Sequence, residues 1–161
     1  MTESIENVKP GLDTPFRVAA RAAVDKAMAE IEANWNGALS GDDVEAVHDL
    51  RVGTRRMRAA LSVYEGAFSP AEFRRAERAM SELTDALGPA RDTDVLIEHI
   101  EAVLAGLADA DEAERVGLRY YIEHLKQLRA RQQIALDKTL SKIDIQEVAM
   151  TLEAGCARID D

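Results

Sequence analysis

Aromatic residues are scarce in this chain: three Phe, three Tyr and one Trp make up 4% of 161 residues. Glycine and proline are sparse as well, at nine and four, while Ala, Leu, Glu and Arg abound. That balance disfavours a sheet protein and favours helices. A single cysteine, Cys156, rules out an internal disulfide and makes the reducing cytoplasm the expected compartment. With only three histidines beside it, a His/Cys zinc site is not expected. No apolar run approaches the roughly 20 residues that cross a bilayer, and the polar start "MTESIENVKPGLDTP" lacks a signal-peptide stretch. Basic charge is in the minority, with 20 Lys and Arg against 30 Asp and Glu. A formal net charge of −10 and a pI near 4.8 argue against general duplex-DNA binding. They do not exclude an anionic ligand, because local clustering sets the field inside a cleft.

Periodicity predicts an all-α fold: an antiparallel bundle of about four long helices and a short C-terminal one, behind a flexible leader at 1–13. The first helix starts at Thr14 and Pro15, and Val24, Met28, Ile31 and Trp35 form its stripe, which Arg21 and Arg17 continue. "NGALSGDD" (36–43) reads as a turn, with Asp42 and Glu45 as a capping box for a second helix ending near Phe68. Its apolar line is Val47, Leu50, Met57, Leu61 and Tyr64. "SPAE" (69–72) opens a third helix, which Gly88-Pro89 kinks or breaks. The fourth spans Asp111 to Leu140, with Arg129 and Gln132 on its apolar face, and "DIQE" (144–147) caps the last. Trp35, Tyr120 and Tyr121 read as packing residues. Arg74, Arg75 and Arg78 read as a solvated face paired with Glu72, Glu77 and Glu82.

The stretch "VHDLRVGTRRMRAAL" (47–61) holds one histidine and four arginines. At about 100° per residue, His48, Arg51, Arg55 and Arg58 fall within an arc of roughly 80°, along roughly 15 Å. The arc lies beside the apolar stripe, and Arg56 points elsewhere. Like charges at these spacings repel by a few tenths of a kcal/mol per pair. A purely structural helix gains from interleaved glutamates, yet Asp49 is the only acid between Glu45 and Glu65. Guanidinium groups hold phosphate oxygens bidentately, in charge-assisted hydrogen bonds worth roughly 1.5–3 kcal/mol each. A row of them suits a ligand that is itself a row of anions, and His48 would join as imidazolium if a phosphate beside it favours the charged form. The plainer alternative is a solvated face serving the chain's many acids.

"DDVEAVHDLRVGTRRMRAALSVYEGAF" and "LTDALGPARDTDVLIEHI" together resemble the CHAD family, the conserved histidine α-helical domain. The likeness rests on V-H-D-L-R-V, T-R-R-M-R and L-G-x-x-R-D-x-D-V (87–95), and it runs from about residue 14 to 155. It implies binding of inorganic polyphosphate by a helical bundle with a basic central channel. On this chain it implies His48 as the family's histidine, Arg51, Arg55 and Arg58 as basic rungs, and Arg91 as the motif arginine. Asp92 and Asp94 match the family's acids, with roles in orienting arginines or shaping the third helix ahead of a metal role. Arg21 and Arg129, and less so Arg17, are candidates to line the same channel. Two departures stand out. Ser81 occupies a position that is basic in many members, and no copy of the motif for the family's usual second bundle is found within these 161 residues. Residues 14–161 thus read either as a natural half-domain or as a fragment of a longer protein, and the first of these suggests that two chains pair to complete one channel.

A scaffold whose arginines meet acidic protein surfaces is the main rival. "HD" at His48-Asp49 spells a metal-phosphohydrolase pair, but no histidine precedes it to complete the ligand set. No nucleophile–base pair, phosphate loop or glycine-rich fingerprint is visible, so a non-catalytic module without cofactor or metal is expected. Without aromatic interleaving, single-stranded nucleic acid suits the ladder less than polyphosphate. The expected setting is cytoplasmic, with polyphosphate granules as one destination.

Overall fold

The structure, a computed structural model, describes residues 16–41, 43–107 and 112–157. Among these residues there are five α-helices and no strand: α1 (Phe16–Ser40), α2 (Val44–Val63), α3 (Pro70–Gly106), α4 (Glu112–Leu140) and α5 (Ile145–Ala157). The all-helical fold read from the sequence is what the structure shows. The leader at 1–13, the Thr14–Pro15 start and the Asp42 half of the expected capping box lie outside the described residues.

The core follows the sequence stripes. Ile31, Leu50, Met57, Leu61, Met80, Leu83 and Leu87 are fully buried, joined by Leu136 and Leu140 from α4 and Leu152 from α5. α1 packs on α2, α2 on α3 and α3 on α4, while α5 lies against α3 and α1. Contacts between α1 and α2 run in opposite order along the two helices. Gly37 meets Ala46, Ile31 meets Gly53, Glu30 pairs with Arg56, and Phe16 stacks obliquely on Tyr64 at 5.2 Å. The same order holds from Arg51–Thr84 to Arg58–Glu77 between α2 and α3.

Three boundaries differ from expectation. α1 runs through Asn36-Gly37 and stops only at Gly41, whose φ of 72° is the left-handed conformation that closes helices. Gly37 is there for packing: a Cβ at that position would stand 2.6 Å from the Cβ of Ala46. α2 ends at Val63 rather than near Phe68, and a 3₁₀ turn (Glu65–Ala67) follows. Pro70 then disfavours helix at Ser69, which is extended and caps α3 with the reciprocal Ser69–Glu72 box. α3 is not broken at Gly88-Pro89 but runs unbroken to Gly106. Pro89 is on the exposed side of the helix, and so is Asp85, whose carbonyl loses its partner there.

The expected surface pairs are also rearranged. Glu72 serves the cap, Glu77 pairs with Arg58, and Arg75 reaches Glu147 on α5. Trp35 is packed against the core, but Tyr120 is 79% exposed and Tyr121 is exposed too, so neither tyrosine is a packing residue. Nothing covers that part of α4 among the described residues, because only α3 packs closely along it.

Candidate anion-binding groove

The phase of α2 is set at its first turn. Asp43, one residue after the expected cap, accepts hydrogen bonds from the amides of Glu45 (3.0 Å) and Ala46 (3.1 Å). The apolar stripe Val47, Leu50, Met57 and Leu61 then turns inward. Gly53 lets α1 approach closely, since a Cβ there would lie 3.1 Å from Ile31. With α2 pinned on that side, its basic arc faces the seam with α3.

His48, Arg51, Arg55 and Arg58 line one groove of about 450 Å³, together with Val52 from α2 and Thr84, Arg91 and Val95 from α3. Five of the seven sequence-predicted site residues therefore meet at one place. Arg51 donates from Nη1 to the Thr84 carbonyl at 3.4 Å, and Gly88 leaves it room, as a Cβ there would lie 3.3 Å from that nitrogen. Arg91 Nη1 is buried and has no hydrogen-bond partner among the described residues. An unpaired cationic N–H held away from water is costly and marks a position that an incoming anion would satisfy. Among the described residues, no carboxylate forms an ion pair with Arg51, Arg55, Arg91 or His48. Arg58 alone has one, with Glu77 at 3.8 Å. Arg56 is turned out of the groove to Glu30.

The other two candidates lie elsewhere. Arg21 joins α1 to α5, pairing with Asp25 and with Glu153, each at 2.8 Å, over a small hollow that shares no residue with the groove. Burial works against the Arg21 charge, but its hydrogen bonds to both carboxylates outweigh this and hold its pKa above the ordinary arginine value. Arg129 donates from Nε to Asp94 at 2.7 Å and from Nη1 to Gln133 at 2.8 Å, in a separate hollow near Ser40 and Gly41. The apolar faces that suggested both arginines are real, but carboxylates of neighbouring helices accompany them there. Arg17, the weaker candidate, is not among the groove's lining residues either. Asp94 thus orients an arginine of α4, while Asp92 is exposed. No group of three or more His, Cys, Asp or Glu is placed to hold a metal among the described residues. Nor is any described helix long and apolar enough to cross a membrane.

Sequence reasoning missed Thr84, Val95 and Glu77. Glu77, Thr84 and Arg91 recur every seven residues and Val95 follows four later, so all four lie on one line along α3. Extending the line from Arg91 in both directions would have found them.

A family model described as the CHAD domain matches residues 22–157. Two uncharacterized proteins of Mycobacterium tuberculosis, from strains H37Rv and CDC 1551, are 32% and 31% identical to the chain over 127 residues. The matched part is 79% of this chain and 24% of each relative, so the chain spans about a quarter of the length of these curated relatives. No solved structure matches. With the family match covering nearly all of the described helices, and His48 and Arg91 lining the same groove, the chain belongs to the CHAD domain family.

Proposed function

We propose that this chain binds inorganic polyphosphate in the groove between α2 and α3 and does not catalyse its turnover. CHAD domains as a family are associated with polyphosphate binding. The observation that carries the proposal for this chain is the convergence of His48, Arg51, Arg55, Arg58 and Arg91 on one groove, four of them without a carboxylate partner among the described residues. The basic rungs repeat along the helix, as negative charge repeats along a phosphate chain. The lining supplies groups that hold an anion and no activated nucleophile: the Thr84 hydroxyl donates to the Met80 carbonyl at 2.7 Å.

Arg55 and Arg58 are exposed, so the groove covers an anion on one side only. A second copy of the chain facing it would enclose the phosphate chain. A mass measurement that finds a monomer both with and without polyphosphate removes this pairing. The proposed location is cytoplasmic, at polyphosphate granules.

One observation favours a second reading. Val52 and the exposed Val95 give the groove an apolar wall, which suits an acidic protein partner as well. Titration with polyphosphate at two salt concentrations separates the two. Binding to a phosphate chain weakens with salt along a log–log slope that grows by about 0.7 per phosphate neutralised, the value for single-stranded nucleic acid. A partially apolar protein interface responds less. The triple variant R51A/R55A/R58A is expected to lose polyphosphate binding and keep its helical circular dichroism, since none of the three side chains lies on the apolar stripe. Undiminished affinity in that variant rejects the groove as the site.

A further inference from the structure

The groove does not end at Arg58. Arg58 also lines a second hollow of about 420 Å³, with Ala59, Leu61, Ser62, Phe73 and Glu77. Phe73 in turn borders a third hollow beside Phe68, Pro70 and Arg74. The groove and the two hollows thus succeed one another along the α2–α3 seam, sharing Arg58 and then Phe73, and the chemistry changes at Arg58. Up to Arg55 the rungs have no acid partner among the described residues. At Arg58 the guanidinium Nη2 stands 3.8 Å from the Glu77 Oε1. Beyond it the second hollow presents carbon, a hydroxyl and that same carboxylate, with no further cation.

A phosphate chain advancing along the ladder gains a favourable contact at each rung until it reaches this pair. There it must compete with Glu77 for Arg58, and the second hollow offers it a carboxylate, an apolar wall and no cation beyond Arg58. Both partners are nearly half exposed, at 42% and 45%, so the pair is weak and screened. It discourages passage without closing the groove. We propose that Glu77 is a chain-length selectivity residue: it terminates the binding track at Arg58, so that phosphates beyond the His48–Arg55 stretch add little affinity. The inference rests on the polyphosphate reading of the groove.

The test compares E77Q with E82Q, which removes the same charge from an exposed position of α3 outside the groove. Each variant is titrated with tripolyphosphate and with long-chain polyphosphate. E77Q is expected to bind the long chain about two- to five-fold more tightly than E82Q, the range open to an exposed ion pair, with a steeper salt dependence. Tripolyphosphate is expected to bind the two variants equally, because four unguarded rungs already accommodate it. Equal long-chain affinity in E77Q and E82Q overturns the inference, and so does an equal gain for both ligands. If neither ligand binds the unmodified chain, the polyphosphate reading itself falls, an outcome distinct from both.

Discussion

The Asp94 carboxylate accepts a 2.7 Å hydrogen bond from Nε of Arg129, with the two side chains only 3% and 12% exposed. The pair ties the middle of α3 to α4. Gln133 extends the tie, receiving Arg129 Nη1 on its side-chain oxygen and donating to the Ala38 carbonyl of α1 at 2.9 Å. Three helices are joined by this chain of polar contacts, one turn of α3 away from Arg91.

Burial separates this pair from the other arginine pairs. Removing one partner of a buried ion pair leaves an uncompensated charge, at a cost of about 3–5 kcal/mol. Arg129→Ala is therefore expected to be strongly destabilising in urea unfolding, the more so because Asp94 Oδ2 already lacks a partner. Arg21→Ala breaks the Asp25 and Glu153 contacts, which are far more exposed, and is expected to cost about 1 kcal/mol or less. Both arginines lie outside the groove, so Arg21→Ala is also expected to leave polyphosphate affinity unchanged. Equal destabilisation by the two substitutions would show that the Asp94 site is better hydrated than its burial implies.

The glycines allow a second comparison. At Gly37 an added methyl group would meet the Ala46 Cβ at 2.6 Å, and neither that methyl nor the α2 backbone behind it is a flexible side-chain end. Overpacking of this kind typically costs about 1–3 kcal/mol, more than the gain of up to about 1 kcal/mol from replacing a helical glycine with alanine. Gly117, within α4, has no atom within 4 Å of its added Cβ. Gly37→Ala is expected to lower the unfolding midpoint, and Gly117→Ala to raise stability by roughly 0.5–1 kcal/mol. Thermal or urea denaturation of the two variants decides whether α1 and α2 are in such close contact.

Gly37 also shows where the sequence is legible and where it is not. Periodic apolar residues located all five helices, and the arc of His48, Arg51, Arg55 and Arg58 located one wall of the groove, because both depend only on the helical repeat within a single segment. Features that depend on a neighbouring helix were misread. Asn36-Gly37 has the composition of a turn, and only the approach of Ala46 explains a glycine inside α1. Arg21 and Arg129 continue apolar stripes, yet beyond Asp25 of its own helix Arg21 is received by Glu153 of α5, and Arg129 by Asp94 of α3. Glu77 looked like a partner for its own helix and instead faces Arg58 across the seam. Composition shows that 30 acids are present but not which arginine each one reaches.

Arg91 brings stability and binding into opposition. Its Nη1 is buried without a partner among the described residues, which is a cost to folding. Methionine is unbranched and has no donor to desolvate, so it can fill the space along the aliphatic stem of Arg91. Arg91→Met is therefore expected to be at least as stable as the original chain in urea unfolding. If the groove binds polyphosphate as proposed, the same variant is expected to deprive that ligand of one cationic donor. A charge-assisted hydrogen bond of about 1.5–3 kcal/mol corresponds to roughly ten- to hundred-fold in affinity. A gain or parity in stability accompanied by that loss identifies Arg91 as held in a strained state for its ligand. If stability falls while affinity stays the same, the arginine is packing the α2–α3 seam, and the unpartnered nitrogen reflects only its place in the fold.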